Sequence, residues 1–497
     1  MAWLLVLPIV LPLAGAALSL LARKSLTAQR AITLGWSGGT LVASIALLVG
    51  VWQDGIQVVQ LSSWVAPLGI SFVGDLLSVT MVVISGITGF AVALYAIGTV
   101  KEYQERAGFH PLYAVLLLGV NGAFLTGDLF NLFVWFEVLL IASFALLVIE
   151  NGISQVRGAL VYVTINLIAS AFFLVGIGLL FGMTGTLNMA DIAVKLAETD
   201  QPGLVTAIST LFILCFGVKA GIFPLFAWLP ASYHTPPIAV SAVFAGLLTK
   251  VGVYALIRTF TLIFVTDTEY THTILLWAAG LTMLTGVLGA AAQSEIRRIL
   301  SFHIISQIGY MIMGLALLTP LALVGGVFYV VHHIIVKTNL FLVGGIISRL
   351  GGSSELGRLG GLYKTYPYLA ILFVIPAFSL AGFPPLSGFW AKAVLIRAGL
   401  EIESIAIVVV ALVVGALTLY SMTKIWMQAF WAPKPDDAPP VPVETRSIYW
   451  LVVPSVGLAL ITITIGLGAE FFFELALAAA DQLLDPSEYI NAVLGPS

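Results

Sequence analysis

Apolar runs of 18 or more residues recur from one end of this 497-residue chain to the other. A run of that length is what an α-helix needs to cross the hydrocarbon core of a bilayer. Only 9% of the residues are charged, whereas a soluble domain has about 25%. The sequence therefore predicts an all-α polytopic membrane protein embedded in a lipid bilayer.

We predict about 14 transmembrane helices, at roughly 20 residues each with some longer. They are expected near residues 2–22, 31–52, 73–99, 110–127, 128–149, 158–182, 204–228, 237–262, 273–292, 298–318, 322–349, 367–400, 404–428 and 449–475. The N-terminal run has no basic segment before it, so we interpret it as a first spanning helix rather than a cleaved signal peptide.

Lysine and arginine set the expected orientation, because cytoplasmic loops are enriched in both. Thirteen of the 21 basic residues fall in odd-numbered loops, and only Lys195, Arg258 and Arg397 fall in even-numbered ones. We therefore expect the odd-numbered loops in the cytoplasm and both chain termini outside. Every arginine is predicted to lie in a loop or at the end of a span.

The remaining five basic residues lie inside predicted spans, and all five are lysines: Lys219, Lys250, Lys337, Lys392 and Lys424. Arginine stays charged at any relevant pH, whereas a desolvated lysine can give up its proton. Glu137 is the only acid predicted at mid-span. A row of titratable groups in lipid is typical of a proton path.

Two predicted spans carry nearly the same Gly/Pro phrase, AGIFPLFAW at 220–228 and AGFPPLSGFW at 381–390. Proline removes a backbone donor, so both helices should break at mid-depth, at Gly221, Pro224, Gly382, Pro384 and Pro385. The phrases lie five spans apart, which predicts an inverted five-helix repeat of helices 4–8 and 9–13. The expected divisions are 1–109, 110–262, 263–430 and 431–497.

Glu137 is the natural counter-charge in mid-membrane, and Lys219 is its preferred partner. A pair that alternates between close and separated states changes its proton affinity, as an antiporter or pump requires. A purely structural ion pair is the alternative.

The other in-span groups differ in how well they suit a relay. His333 and Lys337 share one helix face, along which a proton could pass. His332 points elsewhere and is interpreted as a packed polar residue. Lys392 follows the second break, while Lys424 lies near a membrane face, where snorkelling explains it equally well. Lys250 has no acid nearby in the sequence.

Two groups near the membrane surfaces are also candidates. Asp75 lies at the outer start of a span and is expected to cap a helix or lie at the interface. His234, in a short inner loop, could admit protons or simply form a turn. The sequence has no Walker A motif, no dinucleotide-binding motif and no metal-ligand spacing. We therefore expect no cofactor, no bound metal and no nucleic-acid partner.

Three segments resemble a known family. Thr126–Glu137 and Gly246–Tyr254 are similar to the D subunits of the Mrp (Mnh) multisubunit Na⁺/H⁺ antiporters. Ser301–Met311 resembles a signature shared with the antiporter-like subunits of respiratory complex I.

The resemblance implies an inverted repeat with discontinuous helices 7 and 12, and a glutamate–lysine pair at Glu137 and Lys219. It also implies central ionisable residues at Lys250, His333, Lys337 and Lys392. A prokaryotic inner-membrane location, assembly with the other Mrp subunits and a sodium route through a neighbouring subunit follow from the same resemblance.

The leading hypothesis is a proton-translocating subunit of a Na⁺/H⁺ antiporter, a secondary transporter rather than an enzyme. One alternative is a proton-pumping subunit of a redox-driven complex, either complex I (NADH:quinone oxidoreductase) or a membrane-bound hydrogenase. The other is an assembly scaffold whose buried charges are structural.

Overall fold

The computed structural model describes residues 2–435 and 447–495, most of which are helical. Within these residues, twelve helical segments are long and apolar enough to cross a membrane, and two shorter apolar helices cover Phe109–Leu125 and Pro367–Ala381. The predicted all-α, polytopic fold class is thereby confirmed. Arg446 and part of the predicted loop near 429–448 lie outside the described residues.

The N-terminal part comprises α1 (Ala2–Leu21), α2 (Leu26–Asp54), strands β1 (Gln57–Gln60) and β2 (Ser71–Gly74), α3 (Leu76–Thr99) and α4 (Glu102–Arg106). The two strands pair antiparallel, with Gln57 opposite Gly74. The expectation of helices alone missed this small hairpin. Val58, Val59 and Phe72 are residue types that favour extended backbone, which accounts for it.

The next part contains the first predicted repeat: α5 (Phe109–Leu125), α6 (Leu129–Leu147), α7 (Ile153–Thr184), α8 (Met189–Ala197), α9 (Pro202–Ala220), α10 (Trp228–Ser232), α11 (Ile238–Val243) and α12 (Thr249–Leu262). A π-helical turn, Phe244–Leu248, joins α11 to α12 without interrupting the helix. The loop predicted near 183–203 contains α8, which Asn188 caps at its N-terminus.

The second predicted repeat contains α13 (Thr268–Ala292), α14 (Ile296–Leu317), α15 (Pro320–Gly351), α16 (Leu362–Thr365), α17 (Pro367–Ala381), α18 (Ser387–Glu401) and α19 (Ile405–Trp426). A second π-helical turn, Met427–Trp431, extends α19. Thr319 caps α15 with its side chain, and Pro320 occupies the first helical position, where its missing N–H costs nothing.

Three further helices end the chain: α20 (Tyr449–Leu467), α21 (Ala469–Leu484) and α22 (Pro486–Leu494). The predicted span 449–475 was therefore wrong at its C-terminal end. The helix stops at Gly468, and α21 begins as a separate segment.

The centre of the molecule is formed by α3, α11–α12, α14 and α15, whose apolar windows are 89% to 100% buried within the chain. The corresponding windows of α1, α2, α7, α13 and α19 are only 39% buried. Helix α15 contacts α14, α17, α18, α20 and α21. Titratable residues on the central helices are consequently shielded from lipid on all sides.

Candidate functional site

Ser170 of α7 lies between Glu137 of α6 and Lys219 of α9. Its hydroxyl donates to a Glu137 carboxylate oxygen, and Lys219 Nζ donates to the Ser170 oxygen at 3.0 Å. The direct ion pairs among the described residues do not include Glu137 with Lys219. The two residues predicted to pair are thus joined through a hydroxyl, which can accept one proton while it donates another.

The two Gly/Pro phrases have similar backbone geometry. After α9, Gly221 adopts a φ of +80°, and after α17, Gly382 adopts +94°. Glycine takes up this left-handed conformation without the steric penalty that a Cβ would bring. Pro224 and Pro385 each follow a cis peptide bond within these non-helical stretches, and Pro384 precedes the second one. Each half-helix therefore ends at a glycine that precedes a non-helical stretch containing proline.

Lys250 is fully buried at the start of α12, and its Nζ donates to the carbonyl of Ala245 at 2.6 Å. Ala245 belongs to the π-helical turn, where the wider helix changes the regular hydrogen-bond pattern. Gly252 brings α12 close to α9, since a Cβ there would meet the backbone of Lys219 and Ala220. Lys219 and Lys250 are thereby carried by two tightly packed helices.

His333 and Lys337 occupy the middle of α15, and both are fully buried. Among the described residues, neither ring nitrogen of His333 nor the Nζ of Lys337 has a hydrogen-bond partner. His303 of α14 is also fully buried, and neither of its ring nitrogens has a hydrogen-bond partner among the described residues. Lys250 is close enough to exert like-charge repulsion on Lys337 and His333. Such unsatisfied buried polar groups are rare in proteins and are typical of functional sites.

Lys392 of α18 binds the end of α17. Its Nζ donates to the carbonyls of Leu380 and Ala381 at 3.0 and 2.9 Å. The ammonium also lies 4.8 Å from the ring centre of Tyr310, within range of a cation–π interaction. The negative end of a helix dipole thus faces this lysine.

His332 is fully buried, as expected of a packed polar residue, and it also makes a hydrogen bond at the second helix break. Its Nδ1 lies 2.8 Å from the hydroxyl of Ser387, the first residue of α18. The Ser387 hydroxyl lies 3.0 Å from that of Ser379 in α17. His332 therefore connects α15 to both sides of the second helix break.

Lys424 binds the backbone at the end of a neighbouring helix. Its Nζ donates to the carbonyls of Ala291 and Gln293 at 3.1 and 2.7 Å, where α13 ends. This is the geometry of a C-terminal helix cap. Lys424 is only partly buried, whereas the other four in-span lysines are buried.

Asp75 caps α3, as expected, through a reciprocal pair of hydrogen bonds with Ser78. It also forms an ion pair with Arg258 at 2.5 Å, and both side chains are buried. Arg258 lies in α12, four residues before this helix ends at Leu262, which agrees with the expectation that arginines lie in loops or near span ends. Its guanidinium is 5.1 Å from the ring centre of Tyr489 in α22, which covers the pair.

His234 lies in the loop between α10 and α11. It lines a cavity of about 450 Å³ together with Glu295, Arg297, Arg298 and Glu355. Burial, reinforced by the positive charge of Arg298, lowers the pKa of His234 below its usual value. The imidazole is consequently biased towards its neutral form.

Sequence reasoning missed Ser170. A signal for it does exist, because Asn166 precedes it by four residues and both lie buried on one face of the mostly apolar α7. Polar residues at helical spacing in a spanning segment indicate a face directed at protein rather than lipid.

Comparison with known proteins places the chain in a family. Residues 126–418 match the family described as NADH:quinone oxidoreductase/Mrp antiporter, TM. The chain is 49% identical to the D subunit of the Na(+)/H(+) antiporter of Alkalihalophilus pseudofirmus over 99% of both sequences. It is 41% identical to the corresponding D subunit of Bacillus subtilis, over 98% of this chain and 99% of that relative.

A solved structure has the same fold. A chain in the structure of the Mrp complex from Dietzia sp. superposes with a TM-score of 0.91 at 34% identity, and 100% of both chains is covered. The chain therefore belongs to the NADH:quinone oxidoreductase/Mrp antiporter family and is related throughout its length to the D subunits of Na⁺/H⁺ antiporters.

Proposed function

We propose that this chain is the D subunit of an Mrp-type Na⁺/H⁺ antiporter in a bacterial membrane and that it conducts the protons. The proposed proton path consists of Glu137, Lys219, Lys250, His333, Lys337 and Lys392. The observation that carries the proposal is the bridge from Glu137 through Ser170 to Lys219. A hydroxyl between an acid and a base can transmit a proton in either direction by turning.

Electrostatic repulsion supplies the coupling between neighbouring members of the proton path. Lys250 and Lys337 repel one another when both are charged, so a proton arriving at one favours release from the other. Both lysines also repel a positive charge on His333. A proton entering at Glu137 is thus passed on by successive changes of charge.

We further propose fourteen membrane crossings arranged as an inverted repeat. Residues 110–262 form one five-helix unit and 263–430 the other, with 1–109 and 431–497 outside the repeat. Gly221 and Gly382 stand at equivalent places, each ending a half-helix with a positive φ. In this proposal the odd-numbered loops are cytoplasmic and both termini lie outside, which the excess of lysine and arginine in those loops supports.

The partners of this subunit are the remaining subunits of the Mrp complex, as in the assembly to which the chain is structurally similar. Sodium crosses mainly through a neighbouring subunit in this proposal. The chain acts as a transporter subunit rather than as an enzyme.

The test is Glu137→Gln in the complete complex, assayed for Na⁺/H⁺ antiport in everted membrane vesicles. Removing the carboxylate while keeping its shape should abolish antiport and leave assembly intact, as judged by co-purification of the other subunits. Glu198→Gln, at an exposed position after α8, is the matched control and should retain wild-type activity. Full antiport by assembled Glu137→Gln complexes would overturn the proposal.

A further inference from the structure

Adjacent histidines in α15 have different surroundings. His333 makes no hydrogen bond among the described residues, whereas His332 places Nδ1 2.8 Å from Ser387 Oγ. His332 is itself fully buried, and its Nε2 has no partner in the described part of the chain. One ring nitrogen is therefore fixed at the helix break, and the other remains free within the protein interior.

The break presents opposite partial charges to two titratable residues. Lys392 Nζ donates hydrogen bonds to the carbonyls of Leu380 and Ala381, at the negative end of α17. His332 meets Ser387, at the positive N-terminal end of α18. Helix dipoles favour a cation at a C-terminal end and disfavour one at an N-terminal end. In this conformation, the break favours a charged Lys392 beside a neutral His332.

Hydrogen bonds around the break agree with a neutral imidazole. The Gly388 N–H donates to Ser379 Oγ at 3.3 Å, and the Ser379 and Ser387 hydroxyls lie 3.0 Å apart. Ser387 can then donate its proton to Nδ1, because a neutral imidazole accepts at one nitrogen. A protonated His332 would donate from Nδ1 instead, so Ser387 would have to turn its hydroxyl towards Ser379.

We propose that His332 and Lys392 hold a proton alternately across this break, and that His332 thereby controls when Lys392 releases its proton. The proposal rests on the proposed function. In the step, His332 gains one proton at Nδ1, the Lys392 ammonium loses one from Nζ to become a neutral amine, and both serines keep theirs. Like-charge repulsion, which Lys392 exerts on His332, links the two events.

His332 is a positioning residue in this scheme, since it acts through Lys392. Other titratable groups surround the break on the central helices. His303 and Tyr310 of α14 lie near Lys392, and Tyr329 and His333 of α15 lie near His332. Lys250 of α12 and Lys337 of α15 act in turn on His333.

The experiment compares His332→Gln and His332→Ala in the complete complex, by antiport rate as a function of pH. Glutamine can keep a hydrogen bond to Ser387 but cannot become charged. We expect both variants to assemble, to lose antiport by at least about tenfold, and to shift the remaining activity towards alkaline pH because Lys392 keeps its proton longer. His272→Gln, at a buried histidine of α13 whose hydrogen bonds among the described residues are all to its own helix, should leave rate and profile unchanged.

The inference is overturned if His332→Gln has the wild-type rate and pH profile while His332→Ala fails to assemble. In that case His332 serves only as a structural link. Activity in both variants would overturn it as well. The Glu137→Gln complex separates the two proposals. If that complex is inactive while the His332 variants behave as wild type, only the present inference fails. If it is active, the proposed function fails.

Discussion

Lys219 donates a hydrogen bond to the hydroxyl oxygen of Ser170 at 3.0 Å, and the same hydroxyl donates one to the carboxylate of Glu137. A hydrogen bond to a charged group contributes about 1.5–3 kcal/mol. We therefore expect Ser170→Ala to slow antiport by about tenfold or more, while Ser170→Thr, which restores a hydroxyl, recovers much of the rate. Antiport measured in vesicles containing equal amounts of assembled complex checks this.

Ser209→Ala is the control for Ser170. Ser209 is buried on α9 and, in the part of the chain that the structure describes, bonds only to a carbonyl of its own helix. Its loss should change antiport little. Equal rates for Ser170→Ala and the wild type would show that the bridge plays no part in transport.

The five in-span lysines should divide into two classes on substitution. Lys250→Met should abolish antiport, because Lys250 is fully buried beside the titratable groups of α15. Lys424→Met removes a helix cap and should cost only about 0.3–1 kcal/mol of stability. Its antiport per assembled complex should match the wild type. If Lys424→Met is as inactive as Lys250→Met in assembled complexes, the division is wrong.

The Asp75–Arg258 pair should be important for stability. Removing one partner of a buried ion pair costs about 3–5 kcal/mol, because the other charge is left unpaired. Arg258→Met should lower the thermal stability of the purified complex strongly, and Asp75→Asn/Arg258→Met should lower it less. Arg397→Met, which breaks an exposed pair with Glu401, should have almost no effect. If the double variant loses as much stability as Asp75→Asn and Arg258→Met lose in total, the two side chains are not directly coupled.

His234 should make the complex more sensitive to acid. Its pKa is lowered in the folded protein by burial and by Arg298, so below its usual range the unfolded chain binds a proton that the folded chain does not. Stability therefore falls as the pH drops below about 6.5 and on through the folded pKa. His234→Asn should lose less thermal stability than the wild type between about pH 7.5 and 5.5. Identical losses would show that His234 stays as accessible to protons as in the unfolded chain.

Much of the architecture was predictable, because charged residues are too costly in lipid to be scattered at random. The scarcity of charge located the spans, and Gly221 and Gly382 marked where half-helices end. The beginnings and ends of helices were less certain, as the stop at Gly468 illustrates. Neither π-helical turn nor the β1–β2 hairpin has a strong sequence signal, because short apolar segments fit several backbone conformations.

The contacts at the site were harder to predict, since they join residues far apart in the chain. Asp75 reaches Arg258 only because the start of α3 and the last turns of α12 lie at the same end of the bundle. The sequence does not distinguish Ser170 from other serines in spanning helices, because its position between α6 and α9 depends on the tertiary structure. The direction of His332, away from the face of His333, predicts only a packed polar residue. Because α15 is surrounded by other helices, a second direction also meets a functional element.

The π-helical turn before Lys250 has a consequence for how this lysine is aimed. Such a turn amounts to one extra residue in an α-helix, and each residue of an α-helix advances its side chain by about 100°. Deleting one residue from Phe244–Leu248 would swing Lys250 around the helix axis, away from His333 and Lys337. The direction in which Lys250 points therefore depends on the one additional residue that the π-helical turn contains.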